Sequence, residues 1–191
     1  MKKIMFNDDY NLTKAVFDYR KTQTRRIVSS HNGFIMINGK RVPLSQLYMD
    51  KGSPMLSNKI FSCGRYVIGD IVAVAQRYCD IAYKLTSDFS QLPGWRNKMF
   101  VKAYLMPRHI QITNIRIDRL QNISESDCIA EGIRRQVQCG LLRDAFWCPG
   151  LDIAHYLSAR EAYADLIDRI CGKGTWNSNP LVFIYDFRLI D

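Results

Sequence analysis

The chain has 191 residues and a formal net charge of +9, from 27 Lys and Arg residues against 18 Asp and Glu residues. Hydrophobic residues make up 47% and charged residues 24%, which excludes a disordered chain, a collagen-like repeat and a coiled-coil rod. We therefore expect one globular domain over residues 1–191, with a core that needs no disulfide or metal in order to fold.

The N-terminal third predicts a strand, a short helix and a hairpin. Ile4–Phe6 is typical of a short strand, and Asn11 is a helix N-cap signal before two helical turns over Leu12–Tyr19. Asn38-Gly39 supplies the two positive φ angles of a type I′ turn, so residues 33–42 should form a hairpin. We interpret residues 43–64, which are rich in Pro, Gly and Ser, as a loop insertion.

The middle of the chain predicts two strands separated by a second insertion. Gly69-Asp70 forms a turn signal before the apolar run Ile71–Ala75, which is typical of a buried strand. Residues 79–109 contain no clear period and form the insertion. Ile110–Leu120 predicts a long strand whose apolar alternation changes phase, and a bulge near Thr113-Asn114 would keep its isoleucines on one face.

Two helices and a final strand are predicted in the C-terminal part. Ser124–Asp127 resembles a capping box for a helix that ends at Gly132. Ser158–Glu161 is a second capping box, whose helix should run to Ile170 with an inward stripe of Tyr163, Leu166, Ile167 and Ile170. Residues 134–157 form a third insertion. Leu181–Leu189 is almost continuously apolar, so we expect a central strand. Together the elements predict an α+β fold on a small curved sheet.

The cysteines and histidines do not form a metal-binding pattern. No two cysteines form a C-x-x-C pair, and His31, His109 and His155 stand at no zinc-ligand spacing. We expect no metal or other cofactor, reduced thiols and a cytoplasmic protein. We also expect no secretory leader and no membrane span, because only three apolar residues follow Lys3 and no window approaches the roughly 20 apolar residues of a span. The cysteines are Cys63, Cys79, Cys128, Cys139, Cys148 and Cys171.

The positive charge is concentrated in the first part of the chain. Residues 1–119 carry 20 basic and 8 acidic side chains, whereas residues 120–191 carry 7 basic and 10 acidic ones. Such a basic section favours a phosphate-bearing partner, with binding that weakens as the salt concentration rises. The alternative is a solvated surface that binds nothing.

Several motifs, in order along the chain, resemble the ASCH domain (activating signal cointegrator homology), in particular its phage- and prophage-encoded versions. They are Arg20-Lys21-Thr22-Gln23-Thr24-Arg25-Arg26, Gly69-Asp70, Arg119–Ser124, Ala130-Glu131-Gly132-Ile133, the helix Arg160–Ile170 and Gly174–Pro180. This family belongs to the PUA-like superfamily, so the resemblance implies a small mixed β-barrel flanked by helices. It also implies binding of RNA or a modified nucleotide.

One bacterial branch of that family is similar to amidohydrolases that remove the acetyl group from acetylcytidine. The resemblance transfers the catalytic roles to Lys21, Thr24 and Glu131. In this hypothesis Thr24 is the nucleophile, and Lys21 is the base once burial or nearby cations lower its pKa. Glu131 either moves the proton or binds the exocyclic amino group. Because residues three apart diverge on a strand, Lys21 and Thr24 should converge only in a turn or at a helix end.

We predict a wider set of RNA- or nucleotide-binding residues around the same run. The set is Arg20, Lys21, Thr22, Thr24, Arg25, Arg26, Arg108 and Trp176. Trp95, Trp147 and His109 are weaker candidates.

Three alternatives remain open. In the first, the basic run is a solvated edge, with Glu131 exposed in the last helical turn. In the second, Trp176 packs in the core instead of stacking on a base. In the third, the protein is a phage-encoded interaction factor whose insertions 43–64 and 134–157 bind another protein. The sequence does not indicate an oligomeric state.

Overall fold

The computed structural model describes residues 1–28, 34–37, 40–43, 65–136, 145–148, 150 and 155–191. The strands in these ranges are β1 (Lys2–Ile4), β2 (Gln23–Ile27), β3 (Phe34–Ile37), β4 (Lys40–Pro43), β5 (Ile71–Val74), β6 (His109–Arg119), β7 (Arg134–Gln136), β8 (Ala145–Trp147), β9 (His155–Tyr156) and β10 (Leu181–Leu189). The α-helices are α1 (Leu12–Phe17), α2 (Tyr78–Ile81), α3 (Glu125–Ala130), α4 (Ala159–Cys171) and α5 (Thr175–Ser178). Single 3₁₀ turns cover Ala82–Lys84, Pro93–Trp95, Lys98–Phe100, Ala103–Leu105 and Leu120–Asn122.

The fold is α+β, as predicted, and its main element is a five-stranded mixed sheet. The strand order is β1-β5-β6-β10-β2, with β1 parallel to β5 and all other pairs antiparallel. The two edge strands β1 and β2 do not pair with each other, so the sheet formed by the described strands is open. The predicted closure into a barrel is therefore not confirmed. β3 pairs with β4, and β7, β8 and β9 form a small third sheet.

Strand β10 occupies the inner position that its composition predicts. It pairs with β6 on one side and β2 on the other, and its residues from Leu181 to Tyr185 are all buried. Consecutive side chains point to opposite faces of a sheet, so this run is covered on both faces. β10 consequently holds β2, which carries the basic run, against the core.

The predicted bulge in β6 is confirmed. Asn114 lies opposite Asp186 and Ile112 lies opposite Phe187, so Thr113 is the extra residue. The phase change keeps Ile110, Ile112 and Ile115 all buried.

Helix α4 packs its predicted stripe on this sheet. The Ser158 side chain caps it by accepting a hydrogen bond from the backbone N–H of Glu161. Tyr163, Leu166 and Ile167 are buried, but Ile170 is 36% exposed, because the stripe reaches the edge of the core there. Capping of α3 by Ser124 is likewise confirmed, and Gly132 follows with a positive φ of 110°.

Some predicted boundaries were wrong. The first strand covers Lys2–Ile4 rather than Ile4–Phe6, because its register with β5 ends where Ile4 meets Val74. Helix α1 ends at Phe17, and Tyr19 is exposed with a φ of 58°. Asn11 stands at the N-terminus of α1 but its side chain does not cap the helix.

The predicted insertions differ in how much of them is described. Residues 79–109 contain the end of α2 and four 3₁₀ turns, and they help form a second, smaller core around Tyr78, Ile81 and Met106. The turn of the 33–42 hairpin, residues 44–64 and most of 137–154 lie outside the described residues. Within the described ranges, the helices lack the combination of length and apolar character that crossing a bilayer requires.

We expect Ile112→Ala to lower the free energy of unfolding by roughly 2–5 kcal/mol, because it leaves a cavity under the sheet. The exposed neighbour Thr113 provides the matched control, and Thr113→Ala should change stability by less than about 1 kcal/mol. Urea denaturation of both variants measures the difference. Equal losses would contradict the register of β6.

Candidate functional site

A cavity of about 680 Å³ opens beside β2, and much of the predicted basic run lies on its wall. Its other walls are the connection from β1 to α1, the C-terminal half of α4 and the segment 96–98. Cavities of roughly 300–1,000 Å³ are typical of sites for small molecules and cofactors. Lys21, Thr24, Arg25, Arg26 and Glu131 all line it.

Lys21 lies in the short connection between α1 and β2, and its ammonium group is buried. Its backbone N–H donates to the carbonyl of Ala15, which fixes the connection on the end of α1. Nζ donates to the Gln23 carbonyl (2.8 Å), the Glu131 carbonyl (2.7 Å) and Glu131 Oε2 (2.6 Å). All three protons of the ammonium group are therefore used.

Glu131 directly follows α3 and is also buried, so it is not an exposed residue of the last helical turn. Its Oε2 accepts from Lys21, and its Oε1 accepts from Arg25 Nη1 at 3.1 Å. Gly132 follows with a φ of 110°, a conformation that favours glycine, and a Cβ there would also lie close to Leu12 Cδ2, at 3.3 Å.

Burial lowers the pKa of the Lys21 ammonium group, and the opposing attraction of Glu131 compensates only part of that shift. Arg26 and Arg25 lower the same pKa further through like-charge repulsion. The condition that the amidohydrolase hypothesis places on Lys21, a pKa depressed by burial and neighbouring cations, is thus met.

Arg25 was predicted as a phosphate contact, but its side chain is only 2% exposed, and both of its Nη atoms form ion pairs. Its Nε is buried and has no hydrogen-bond partner among the described residues. Besides Glu131, it binds Asp127 Oδ2 (2.9 Å) and donates to the side chain of Gln23. Burial alone would raise the pKa of Asp127, but Arg25 and other donors outweigh it, so that pKa lies below its usual range. Arg25 thus joins β2 to α3.

The network continues from β2 through four residues that were not predicted as site residues: Gln23, Arg116, Asp127 and Asp186. Gln23 Nε2 donates to Asp127 Oδ1 (3.2 Å) and to Asp186 Oδ1 (2.6 Å). Arg116 pairs with both aspartates at 3.3–3.4 Å. Asp127 was interpreted only as a capping-box residue, and its carboxylate instead binds these side chains. The signal available in the sequence was the glutamine inside the basic run.

Thr24 lies on β2 and is 4% exposed on the cavity wall. Its hydroxyl makes no hydrogen bond with the described part of the chain, so it is available to a ligand. Lys21 and Thr24 do reach the same cavity, although Gln23–Ile27 is a strand and not the turn that we expected. They converge because Lys21 stands before the strand begins, where the alternation rule does not apply.

Tyr163 is a second wall residue that the sequence marked only as core. Its ring lies 6.0 Å from the Arg25 guanidinium, and its hydroxyl is buried without a partner in the described ranges. Burial raises the pKa of Tyr163 well above its usual value, so the side chain is neutral.

Four of the predicted binding residues lie away from the cavity. Arg20 pairs with Asp18, Thr22 is exposed, and Arg108 stacks over Phe17. Trp176 is half-buried against Tyr163, at a ring separation of 6.3 Å, as the core alternative suggested. Their contacts with RNA or nucleotide stay predictions.

The weaker candidates also lie elsewhere. Trp95 packs on the smaller core, Trp147 belongs to β8, and His109 Nδ1 lies 2.6 Å from Asp191 Oδ2. His31 and the side chain of His155 lie outside the described residues.

The described residues place no three His, Cys, Asp or Glu side chains together as a metal site. Cys79, Cys128, Cys148 and Cys171 are free thiols, while Cys63 and Cys139 lie outside the described ranges. Burial raises the pKa of Cys128 and of Cys148 to about 12, so neither is a reactive thiolate.

Comparison of the chain with protein-family models, with curated proteins and with solved structures finds no match. The resemblance to ASCH domains therefore rests on the quoted residues alone.

We expect Glu131→Gln to lower the free energy of unfolding by roughly 3–5 kcal/mol, because it leaves the buried Lys21 and Arg25 without their shared carboxylate. Glu161→Gln, the same change at an exposed position of α4, should cost less than about 1 kcal/mol. Chemical denaturation near pH 7 compares the two. A loss no larger for Glu131→Gln would show that the buried pair is dispensable.

Proposed function

We propose that this chain is an ASCH-type, PUA-like module that binds RNA or a nucleotide in the cavity beside β2. One observation carries the proposal. Glu131 and four residues of the basic run (Lys21, Thr24, Arg25 and Arg26), which are far apart in sequence, line the same cavity. We also propose that the sheet is part of a PUA-like barrel. The protein would be cytoplasmic, where its free thiols stay reduced.

The size and surface of the cavity support a ligand with a flat, partly apolar body. Leu12, Leu166, Ile167 and Val182 provide apolar wall, while Thr24 provides a free hydroxyl. A nucleobase and ribose combine such apolar faces with hydrogen-bonding edges.

The charge of the cavity supports a phosphate on the same ligand. Among the described residues, six basic side chains line it, against the three acidic ones Asp8, Asp9 and Glu131. A concave surface with this excess attracts anions, and the attraction is strongest at low salt.

Binding should be measured by fluorescence anisotropy with a short labelled single-stranded RNA at 50 and 200 mM salt. We expect affinity to fall at the higher salt and Thr24→Val to weaken binding about two- to tenfold, because one hydrogen bond to the ligand is lost. Thr113→Val, the same change at an exposed position outside the cavity and outside the predicted binding set, is the control. Absent or salt-independent binding, or equal effects of the two variants, would reject the cavity as the binding site.

The same cavity favours a second candidate, an amidohydrolase acting on acetylcytidine-like nucleosides. Lys21, Thr24 and Glu131 line it together, and the Lys21–Glu131 contact of 2.6 Å is short enough for direct proton transfer. Moving the proton from Nζ to Oε2 leaves a neutral amine beside a neutral acid, and burial favours this uncharged pair.

In that reaction Thr24 Oγ attacks the acyl carbonyl carbon and gives its proton to the neutral Lys21. The C–N bond then breaks, and the leaving nitrogen takes a proton from Glu131. Water hydrolyses the resulting acyl-threonine ester, which releases the acid and restores Thr24. The pair thus supplies and recovers the protons that each step needs.

Chromatography of acetylcytidine incubated with the protein tests this candidate. Thr24→Ala should lower the rate by at least about 100-fold, and Thr24→Ser, which keeps a hydroxyl, should retain part of it. The Lys21–Glu131 pair must hold one proton in total, because Glu131 gives that proton to the leaving nitrogen. Since the pKa of Lys21 is lowered, the pair should lose this proton, and the rate should fall, at a lower pH than an ordinary lysine would require. Equal rates for wild type and Thr24→Ala would reject Thr24 as the nucleophile.

A further inference from the structure

The basic side chains that line the cavity differ in whether their charge is already compensated. Lys21 and Arg25 are paired with Glu131 in the interior. Arg77 pairs with Asp80 at 2.7 Å, and Lys98 pairs with Asp8 at 2.8 Å. In the described part of the chain, each of these four cations therefore has a carboxylate partner.

Two cations of the cavity have no carboxylate partner among the described residues, Arg26 and Arg96. Arg26 is exposed, and its side chain donates within the described ranges only to the carbonyl of Met5, so most of its guanidinium donors have no partner there. Arg96 is exposed and forms no hydrogen bond or ion pair within the described ranges. Being exposed, they mark the solvent side of the cavity, whereas Lys21 and Arg25 are buried inside it.

The cavity is consequently divided by charge. Its interior combines compensated ion pairs with apolar wall, so an additional negative charge there would be desolvated without a free counter-charge. The mouth offers two arginines, whose planar guanidinium groups match phosphate oxygens in paired hydrogen bonds. A ligand that enters with its uncharged part first and keeps its anion outside fits both regions.

We propose that the ligand is a nucleotide whose 5′-phosphate is bound at the mouth by Arg26 and Arg96, with its nucleoside part inside the cavity against Thr24. This inference rests on the proposed function and narrows its substrate class, because it makes a phosphorylated nucleotide, and not the free nucleoside, the preferred ligand. The phosphate belongs either to a mononucleotide or to the 5′ end of an RNA strand.

Isothermal titration calorimetry at 50 mM salt tests it with cytidine, uridine, adenosine and guanosine and with their 5′-monophosphates. For the base that binds, we expect the monophosphate to bind at least about tenfold more tightly than the nucleoside, as charge-assisted hydrogen bonds provide. Arg96→Gln and Arg26→Gln should each lower the affinity for the monophosphate more than the affinity for the nucleoside, and so reduce this preference. Within the described ranges Arg96 forms no hydrogen bond or ion pair that its replacement would remove, so this variant should keep its fold.

Arg134→Gln is the matched control, because Arg134 is exposed, carries the same charge and lies outside both the cavity and the predicted binding set. It should keep the preference for the monophosphate. An equal effect of Arg134→Gln and Arg96→Gln would overturn the inference, since only the overall charge would then matter.

The other outcomes distinguish failure of the phosphate site from failure of the proposed nucleotide-binding function. Equal affinity for nucleoside and monophosphate would overturn the phosphate site and leave the nucleotide-binding cavity standing. Binding of none of the eight compounds would overturn this inference, and binding of the labelled RNA would then still support the proposed function. Competition by a 5′-phosphorylated RNA, but not by its unphosphorylated form, would support the inference and identify a strand end as the source of the phosphate.

Discussion

The buried ion pairs of Glu131 with Lys21 and Arg25 determine where the site lies. Two cations and one carboxylate have been removed from water, and such a group is stable only when every charge has partners at hydrogen-bond distance. Meeting that condition brings the end of α3 against the connection that precedes β2. The position of Thr24, and hence the wall of the cavity, follows from this arrangement.

Patterns that are local in the sequence predicted much of the fold correctly. The apolar run Leu181–Leu189, the phase change at Thr113 and the caps at Ser124 and Ser158 each depend on a few neighbouring residues. The mixed sheet order could not be predicted in this way, because it depends on contacts between strands far apart in the chain. The predicted barrel needs β1 and β2 to be joined, and the described strands leave both as edges.

The site shows the same limit more sharply. Lys21, Thr24 and Glu131 were named from short motifs and lie together, but the burial of Arg25 was not foreseen because its partners Glu131 and Asp127 are more than 100 residues away. The segment 79–109, which has no periodicity, was interpreted as an insertion. It provides Arg96, Asn97 and Lys98 to the wall opposite the basic run. A segment without periodicity can thus contribute residues to a site whose other residues lie in or next to regular helices and strands.

The two candidate functions require different behaviour from the same ion pair. A binding module needs Lys21 and Glu131 to remain charged and fixed, so that they hold the cavity wall and add no net charge to its interior. A hydrolase needs the proton to cross the 2.6 Å between them, and burial, which disfavours both charged forms, lowers the cost of that transfer. The lowered pKa of Lys21 reduces the cost of that transfer, whereas its three hydrogen bonds favour the charged state. The two candidate functions therefore differ in one physical quantity, the free energy of moving this proton from Lys21 Nζ to Glu131 Oε2.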